Sequence, residues 1–441
     1  MRRFSQAMVC GLGASGAAAA RLLRAEGVAV CAVDERAAPE SRKTAEALSA
    51  VGCAVALGAP APPEGIFDVA VVSPGLPFDG AFLSELRRRG IPLLSEMELG
   101  WSRFRGRTIA VTGSNGKSSV VKALAECLEA AGLRAIPCGN YGLPVCQAAL
   151  DSPAADWLVI EASSFQLETC VDFRPDVAVL MNVLPNHLDR HGTLEAYARL
   201  KARLFARQRE GDVALVPPEW RERFPAWSGG RGRWKTFGAE SDADFVYSPR
   251  RIAERGGAEI DVAGSYFDNE VLGPNAAALC GAARAAGAPP DAIQRTLRRF
   301  ASLPHRAEPV GEFHGVRYVN DSKATNLSAM IASIRMQDRP VWLIAGGRPK
   351  ETDFSAAIPV LQRRVRGVFL IGEAAAAMAA AWGAALPCEN CGTLERAVAA
   401  ARRAARPGDA VLMAPACTSY DQFRAYGERG AAFRKFAAEK D

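Results

Sequence analysis

This sequence predicts an α/β protein with parallel sheets in three domains, and three observations carry the prediction. Short apolar runs such as Met8–Cys10, Trp157–Ile160 and Val341–Ala345 alternate along the chain with longer stretches of helical period. Two of the runs, ending at Cys10 and Thr112, enter glycine-rich turns that open directly into helices. Finally, 441 residues are too many for one core and suit about three.

Composition narrows the class. Hydrophobic residues make up 49% and charged residues 23%, which describes a globular protein and excludes a disordered or fibrous chain. The net charge of +6 is mild and its basic residues are dispersed, so no nucleic-acid partner is expected. Arg87-Arg88-Arg89 reads as a solvated helix face. No charge-free run of eighteen apolar residues exists, so no membrane span is expected. The eleven scattered cysteines fit a reducing cytoplasm, and Cys388-Glu-Asn-Cys391 lacks the second pair a zinc site needs. Met1-Arg2-Arg3 superficially resembles the start of a signal peptide, but the glycines that follow suit a strand, turn and helix better. The chain has 45 Arg and only nine Lys. Lysines kept in so arginine-rich a chain point to places where a compact ammonium or a deprotonatable amine is needed.

In the first domain, the strand Met8–Cys10 leads to Gly11-Leu-Gly13-Ala14-Ser15-Gly16 and a helix. A second strand, Val28–Val33, ends in Asp34, eighteen residues after Gly16. This is the spacing of a dinucleotide-type fingerprint, with an acidic residue placed for a ribose hydroxyl. A third strand, Asp68–Val72, runs into Ser73-Pro74-Gly75, and the domain closes near residue 99.

The second domain opens on Thr108–Val111 and the turn Thr112-Gly113-Ser114-Asn115-Gly116-Lys117-Ser118-Ser119. Val120, Val121, Leu124 and Leu128 then share one face of a helix that Gly132 ends. A strand–loop–helix of this kind gathers backbone N–H groups around a phosphate, with the positive end of the helix aimed at it. Lys117 is placed to reach the β- and γ-phosphates, and the Ser118 hydroxyl to sit on Mg2+. The first glycine of the general P-loop pattern is replaced by Val111, so this is a variant built on Gly113. Trp157–Ile160 delivers Glu161 at a strand end, where a carboxylate can hold Mg2+ beside phosphates. Val177–Met181 leads to a loop with His187 and His191, two of only four histidines. Glu195–Arg209 reads as a helix carrying Lys201 among arginines, which by itself suggests a solvated lysine. Gly211 to Tyr266 looks strand-poor, and an Ala-rich helix runs from Asn275 to Gly287.

Ser302–Arg306 reads as a linker into the third domain. Its first strand, Val316–Val319, enters the polar cluster Asn320-Asp321-Ser322-Lys323-Ala324-Thr325-Asn326. Further strands end at Gly346-Gly347-Arg348-Pro349-Lys350, at Ile371, and at Ala414–Ser419.

Six motifs, Thr112–Ser118, Glu161–Gln166, Asn182–Arg190, Leu303–Arg306, Asn320–Asn326 and Ser419–Phe423, together resemble the Mur ligases in order and over essentially the whole length. Ser163–Gln166 and the last two motifs resemble the members that add D-glutamate to UDP-N-acetylmuramoyl-L-alanine. The resemblance implies three domains: 1–99, Rossmann-like and UDP-substrate-binding; 100–302, a central P-loop ATPase domain; and 303–441, Rossmann-like and D-glutamate-binding. It implies ATP bound by Gly113, Ser114, Asn115, Gly116, Lys117, Ser118, Ser119, Asn275, Arg306 and Asp321. It implies UDP-substrate bound by Gly13, Ala14, Ser15, Asp34, Arg36, Ser73, Gly75 and Asn140, and D-glutamate by Thr325, Lys350, Ser419 and Tyr426. Ser118, Glu161, His187 and Lys201, the last carbamylated by CO2, would hold Mg2+, and Lys117, Glu161, His187 and Lys201 would be catalytic. A cytoplasmic monomer in peptidoglycan precursor synthesis is expected. Asn186 stands where the family usually has Asp, Tyr426 where Phe is common, and Gly273-Pro274-Asn275 keeps only the second asparagine of a His-Asn-x-x-Asn motif. Rival readings are a folylpolyglutamate synthase-like ligase, an NAD-dependent oxidoreductase argued from the amino-terminal fingerprint alone, and a nucleotide-sensing module without catalysis.

Overall fold

A computed structural model describes residues 3–439. Its three sheets follow one another along the chain, one to each α/β domain. The first contains β1 (Gln6–Cys10), β2 (Ala29–Asp34), β3 (Ala54–Leu57), β4 (Val69–Val72) and β5 (Leu93–Ser95), all parallel, in the order β3-β2-β1-β4-β5. Ala19, Leu22 and Leu23 of the helix Ala14–Ala25 pack with Val9 and Val30 on one face, while Phe82, Leu83 and Leu86 meet Met8 and Cys10 on the other. The short strand β3 was not anticipated. None of its four residues is buried, so it lacks the apolar contrast that marks a strand in sequence.

The second sheet holds β6 (Arg107–Thr112), β7 (Ala135–Gly139), β8 (Trp157–Glu161), β9 (Val177–Leu180), β10 (Val213–Val216), β11 (Arg233–Gly238), β12 (Phe245–Ser248), β13 (Arg251–Glu254) and β14 (Glu259–Asp261). Their order is β14-β13-β12-β11-β10-β9-β6-β8-β7. The stretch from Gly211 to Tyr266 is therefore strand-rich, contrary to expectation. Its strands are only three to six residues long and are separated by Gly and Arg, which hides their periodicity. The sheet is parallel as expected except at this edge, where β12, β13 and β14 pair antiparallel. The expected helix Glu195–Arg209 is shorter. It spans Leu194–Ala202 and tightens into a 3-10 turn over Arg203–Phe205, which buries Phe205 against Trp234 at 5.1 Å.

The third sheet is formed by β15 (Glu308–Phe313), β16 (Val316–Asn320), β17 (Val341–Gly346), β18 (Val365–Ile371), β19 (Cys388–Gly392) and β20 (Ala410–Met413), in the order β15-β16-β20-β17-β18-β19. β15 precedes the strand expected to come first and pairs antiparallel with it, while the rest are parallel.

The chain divides into two compact units. One comprises the residues up to Val183, His187–Ala263 and Gly273–Arg298, and holds the first two sheets. The other comprises Leu184–Asn186, Gly264–Leu272 and the chain from Arg299, and holds the third. All eleven cysteines are free thiols. Burial pushes those of Cys10, Cys127, Cys170 and Cys417 up to about 12, which makes them unreactive. Cys388 and Cys391 lie on β19, both raised by burial, and among the described residues no group of three or more His, Cys, Asp or Glu is gathered to hold a metal. Arg87 and Arg88 are exposed as expected, whereas Arg89 is half-buried and its guanidinium donates to the carbonyls of Pro63 at 2.8 Å and Gly65 at 2.9 Å. Among the described residues no helix is long and apolar enough to cross a membrane.

Candidate active site

The first cluster forms where β1, β2 and β4 end. Gly11 has φ 89°, and Gly16 lies so close to it that a Cβ there would sit 1.8 Å from the Gly11 carbonyl. Only glycine permits this approach. Asp34 holds the turn: one carboxylate oxygen accepts from the Leu12 amide at 2.8 Å and the other from the Arg36 amide at 2.8 Å. Ser73 Oγ donates to the Gly11 carbonyl at 3.0 Å, which binds the Ser73-Pro74-Gly75 turn to the first. Gly13 begins the helix Ala14–Ala25 with no side-chain cap, so its first-turn amides face outward beside Ala14 and Ser15. Next to them is a cavity of about 440 Å³ lined in part by Leu12, Gly13, Ala14, Arg21 and Gln147. This is an anion-ready helix end at the carboxyl edge of a parallel sheet.

The second cluster surrounds the turn after β6, the strand flanked by β8 and β9. Gly113 has φ 146° and Gly116 φ 85°, and Gly116 begins the helix Lys117–Ala130. A Cβ on Gly116 would meet Asn275 Nδ2 at 2.8 Å, so Asn275 sits directly against the loop. Asn182, at the end of the neighbouring strand, accepts from the amides of Ser114 at 3.1 Å and Asn115 at 2.9 Å. Lys117 folds back over the turn, its ammonium donating to the carbonyls of Gly113 at 2.7 Å and Ser114 at 2.9 Å. Ser118 Oγ donates to Glu161 Oε2 at 2.5 Å, and Asn140 Nδ2 donates to Glu161 Oε1 at 2.6 Å. The Glu161 carboxylate is thus clasped between the phosphate-type loop and the loop after β7. Thr112 Oγ1, fully buried at the mouth of the turn, has no hydrogen-bond partner among the described residues.

Lys201 does not lie on a solvated face. It is 1% exposed, its ammonium donating to the Gly113 carbonyl at 3.1 Å and lying 4.1 Å from the centre of the Tyr197 ring. Burial, and then the Lys117 charge, push its amine well below the usual lysine range, with Glu161 opposing. His187 adopts φ 54° and packs edge-on against Phe165 at 4.9 Å. His191 stacks on Tyr197 at 5.1 Å, with Ser164 Oγ 3.1 Å from its Nε2. Lys117, Ser118, Asn140, Glu161, Lys201 and Asn275 therefore converge on one turn. Ser118 and Glu161 supply hard oxygen donors of the kind that share magnesium with phosphate oxygens, and the three glycine and lysine features suit a polyphosphate.

In the second unit the candidate residues gather where β16, β17 and β20 end. Asn320, fully buried, donates to Glu308 Oε2 at 3.0 Å and the Gly430 carbonyl at 3.1 Å, and its Nδ2 lies 2.9 Å from His305 Nδ1. Lys323 Nζ lies 4.1 Å from the centre of the Tyr426 ring, and Ser322 Oγ donates to the Tyr426 carbonyl at 2.7 Å. Arg348 and Thr418 exchange backbone hydrogen bonds at 2.9 and 3.0 Å, which sets the Lys350 loop beside Ser419. Glu351 accepts from the Leu327 amide at 3.3 Å, two residues beyond Thr325. Burial raises the Asp321 carboxyl to about 6, with Arg306 among the opposing influences.

Sequence reasoning missed Arg429. It is 1% exposed and donates to Ser322 Oγ, to the carbonyls of Ser322 and Cys417, and, at 3.3 Å, to that of Thr418. Burial lowers its guanidinium to about 10. It locks two candidate loops together, yet nothing in the sequence separates it from 44 other arginines.

Three family models match in succession: the Mur ligase MurD-like N-terminal domain over residues 5–95, the Mur ligase middle domain over 111–273, and the Mur ligase glutamate ligase domain over 305–417. The UDP-N-acetylmuramoylalanine–D-glutamate ligase of Acidobacterium capsulatum is 39% identical, covering 97% of this chain and 95% of the relative. That of Nitratidesulfovibrio vulgaris is 40% identical, with the same coverage of 97% and 95%. A MurF ligase of Thermotoga maritima, solved in complex with ADP, shares the fold at a TM-score of 0.63 and 16% identity, covering 93% of this chain and 94% of that one. Matched by three consecutive family models and by relatives along nearly its full length, the chain belongs to the Mur ligase family.

Proposed function

We propose that this chain is an ATP-dependent ligase that joins D-glutamate to UDP-N-acetylmuramoyl-L-alanine, acting in the cytoplasm as a monomer in peptidoglycan precursor synthesis. The observation that carries the reading is the Glu161 carboxylate held between Ser118 and Asn140, which ties the phosphate-binding turn to a loop suited to the substrate carboxylate. The named relatives support the choice of substrates. Boundaries near residues 99 and 302 divide the chain into a UDP-substrate domain, an ATP domain and a D-glutamate domain. The family match over residues 5–95 favours this reading over a folylpolyglutamate synthase, which lacks such a first domain. An oxidoreductase would leave the Lys117 turn and Glu161 without a task.

A carboxylate is a poor electrophile and needs activation. Its oxygen attacks the γ-phosphorus of ATP, the bond to ADP breaks, and an acyl phosphate forms. The D-glutamate amine, having lost a proton, then attacks the acyl carbon; the C–N bond forms as the C–O bond to phosphate breaks. In this reading Gly113, Ser114, Asn115, Gly116 and Ser119 cradle the phosphates while Lys117 offsets their charge. Asn275 contacts the nucleotide, and Arg306 and Asp321 add nucleotide contacts. Gly13, Ala14, Ser15, Asp34, Arg36, Ser73 and Gly75 hold the UDP moiety, and Asn140 orients the reacting end. Thr325, Lys350, Ser419 and Tyr426 receive D-glutamate. Ser118, Glu161, His187 and a carbamylated Lys201 would hold Mg2+, which supplies charge neutralisation at the phosphoryl oxygens when bound.

The direct test is ATP consumption with each substrate singly and together. Turnover is expected only when UDP-N-acetylmuramoyl-L-alanine and D-glutamate are both present, and turnover with either absent refutes the reading. Removing a metal-holding side chain is the second expectation. Glu161→Ala or His187→Ala should weaken Mg2+-dependent turnover, with partial recovery at high Mg2+ or Mn2+ for at least one of them. Because a metal on phosphoryl oxygens contributes several kcal/mol, a loss of only about twofold would count against these assignments.

A further inference from the structure

We propose that Arg190 is a positioning residue that fastens the Ser73–Leu76 turn of the first sheet to the His187 segment beside the phosphate turn, so that a bound UDP-substrate lies in register with the ATP site. This rests on the ligase reading above. The Arg190 guanidinium makes a two-pronged pair with Glu168, one prong being Nε to Oε1 at 3.0 Å and the other Nη2 to Oε2. The same Nη2 donates to the Leu76 carbonyl at 3.0 Å, and Nη1 reaches 3.5 Å from the Pro74 carbonyl. Its flat face lies over Phe165 at 4.1 Å, and that ring in turn packs against His187 at 4.9 Å and His191 at 5.5 Å.

The geometry has a direction. On its other side the same turn is held by Ser73 Oγ donating to the Gly11 carbonyl. The turn is therefore fixed between the glycine-rich loop of the first sheet and a guanidinium anchored in the second. Both contacts fall at the carboxyl edge of a parallel sheet, where ligands sit. Only a planar fork serves a carboxylate and a carbonyl at once while stacking on an aromatic ring; a lysine ammonium offers a single point charge. Loss of the fork releases the turn and leaves Glu168 without its guanidinium partner. The nucleotide turn, held by Asn182 and closed by Lys117, keeps its own contacts.

The test compares wild type, Arg190→Ala and Arg190→Lys by calorimetry with UDP-N-acetylmuramoyl-L-alanine and, separately, with ADP. Arg190→Ala should weaken UDP-substrate binding by about tenfold or more and change ADP binding by no more than about twofold. Arg190→Lys should not restore the UDP-substrate affinity. Methylguanidinium added to the alanine variant should recover part of it, a rescue that a general loss of structure would not give. Unchanged UDP-substrate binding in Arg190→Ala, or equal losses for both ligands, would overturn the inference. Should Arg190→Ala not fold, the lysine variant decides, because wild-type affinity there refutes the need for a fork. A wild-type chain that binds ADP but no UDP-substrate would sink the ligase reading itself, and this inference with it.

Discussion

Lys117→Ala is expected to abolish ATP-dependent ligation while leaving UDP-substrate binding nearly intact. The Lys117 ammonium is held over the turn by the carbonyls of Gly113 and Ser114 at 2.7 and 2.9 Å. It therefore costs little reorganisation to meet charge developing on the β- and γ-phosphates. Removing one such preorganised group typically lowers turnover by about 10²–10³-fold. The turn Gly11–Gly16 with Asp34 and Ser73 belongs to a different sheet and is held by hydrogen bonds of its own, from the Leu12 amide to Asp34 and from Ser73 Oγ to the Gly11 carbonyl. Calorimetry on the variant should show ADP affinity falling and UDP-substrate affinity within about twofold of wild type, a difference smaller than 0.5 kcal/mol. Loss of both bindings together would mean that the two sites are not separable in the way proposed.

The residues that sequence alone made legible are those whose chemistry depends on local spacing. The Gly113–Ser119 turn, Glu161 at a strand end and Asn320–Asn326 after another all occupy the places expected of them. Each is set by a strand running into a turn, and that geometry is written in contiguous residues. Asn275, assigned from a truncated motif, lies directly against Gly116. What stayed hidden depends on tertiary packing. β10 to β14 are too short and too interrupted by Gly and Arg to show a period. The burial of Arg429 and the bridging by Arg190 depend on partners 107 and 114 residues away. In a chain with 45 arginines, neither stands out by type. Asp34 shows a subtler limit: spacing marked it as an acid placed for a ribose hydroxyl, whereas what the structure shows is its carboxylate holding the turn through two backbone amides.

Lys201 is where local reading and packing diverge most, and its variants should separate function from stability. Its helical neighbours Arg199 and Arg203 suggest solvent, whereas the side chain is fully enclosed beside Tyr197 and the Gly113 carbonyl. An enclosed ammonium is costly, and burial together with Lys117 drives the amine toward its neutral form. Neutral amines add to CO2: the N–C bond forms, a proton leaves, and a carbamate anion replaces a cation. We propose that this anion orients the Mg2+ ligand set, a task arginine cannot perform because its guanidinium stays protonated. Lys201→Ala and Lys201→Arg should both lose most activity, and short carboxylic acids should restore part of it in the alanine variant alone. The stability readout runs the other way. A folded-state pKa below the unfolded value near 10.5 means that the uncarbamylated chain loses stability as the lysine is protonated. That penalty is full below the folded pKa and fades as pH rises toward 10.5. Without CO2, Lys201→Met should therefore unfold no earlier than wild type at neutral pH, and any advantage should shrink in alkali. Wild-type activity in Lys201→Arg would refute the carbamate, and a Lys201→Met chain that unfolds well before wild type in CO2-free buffer would mean that the amine is there for structure.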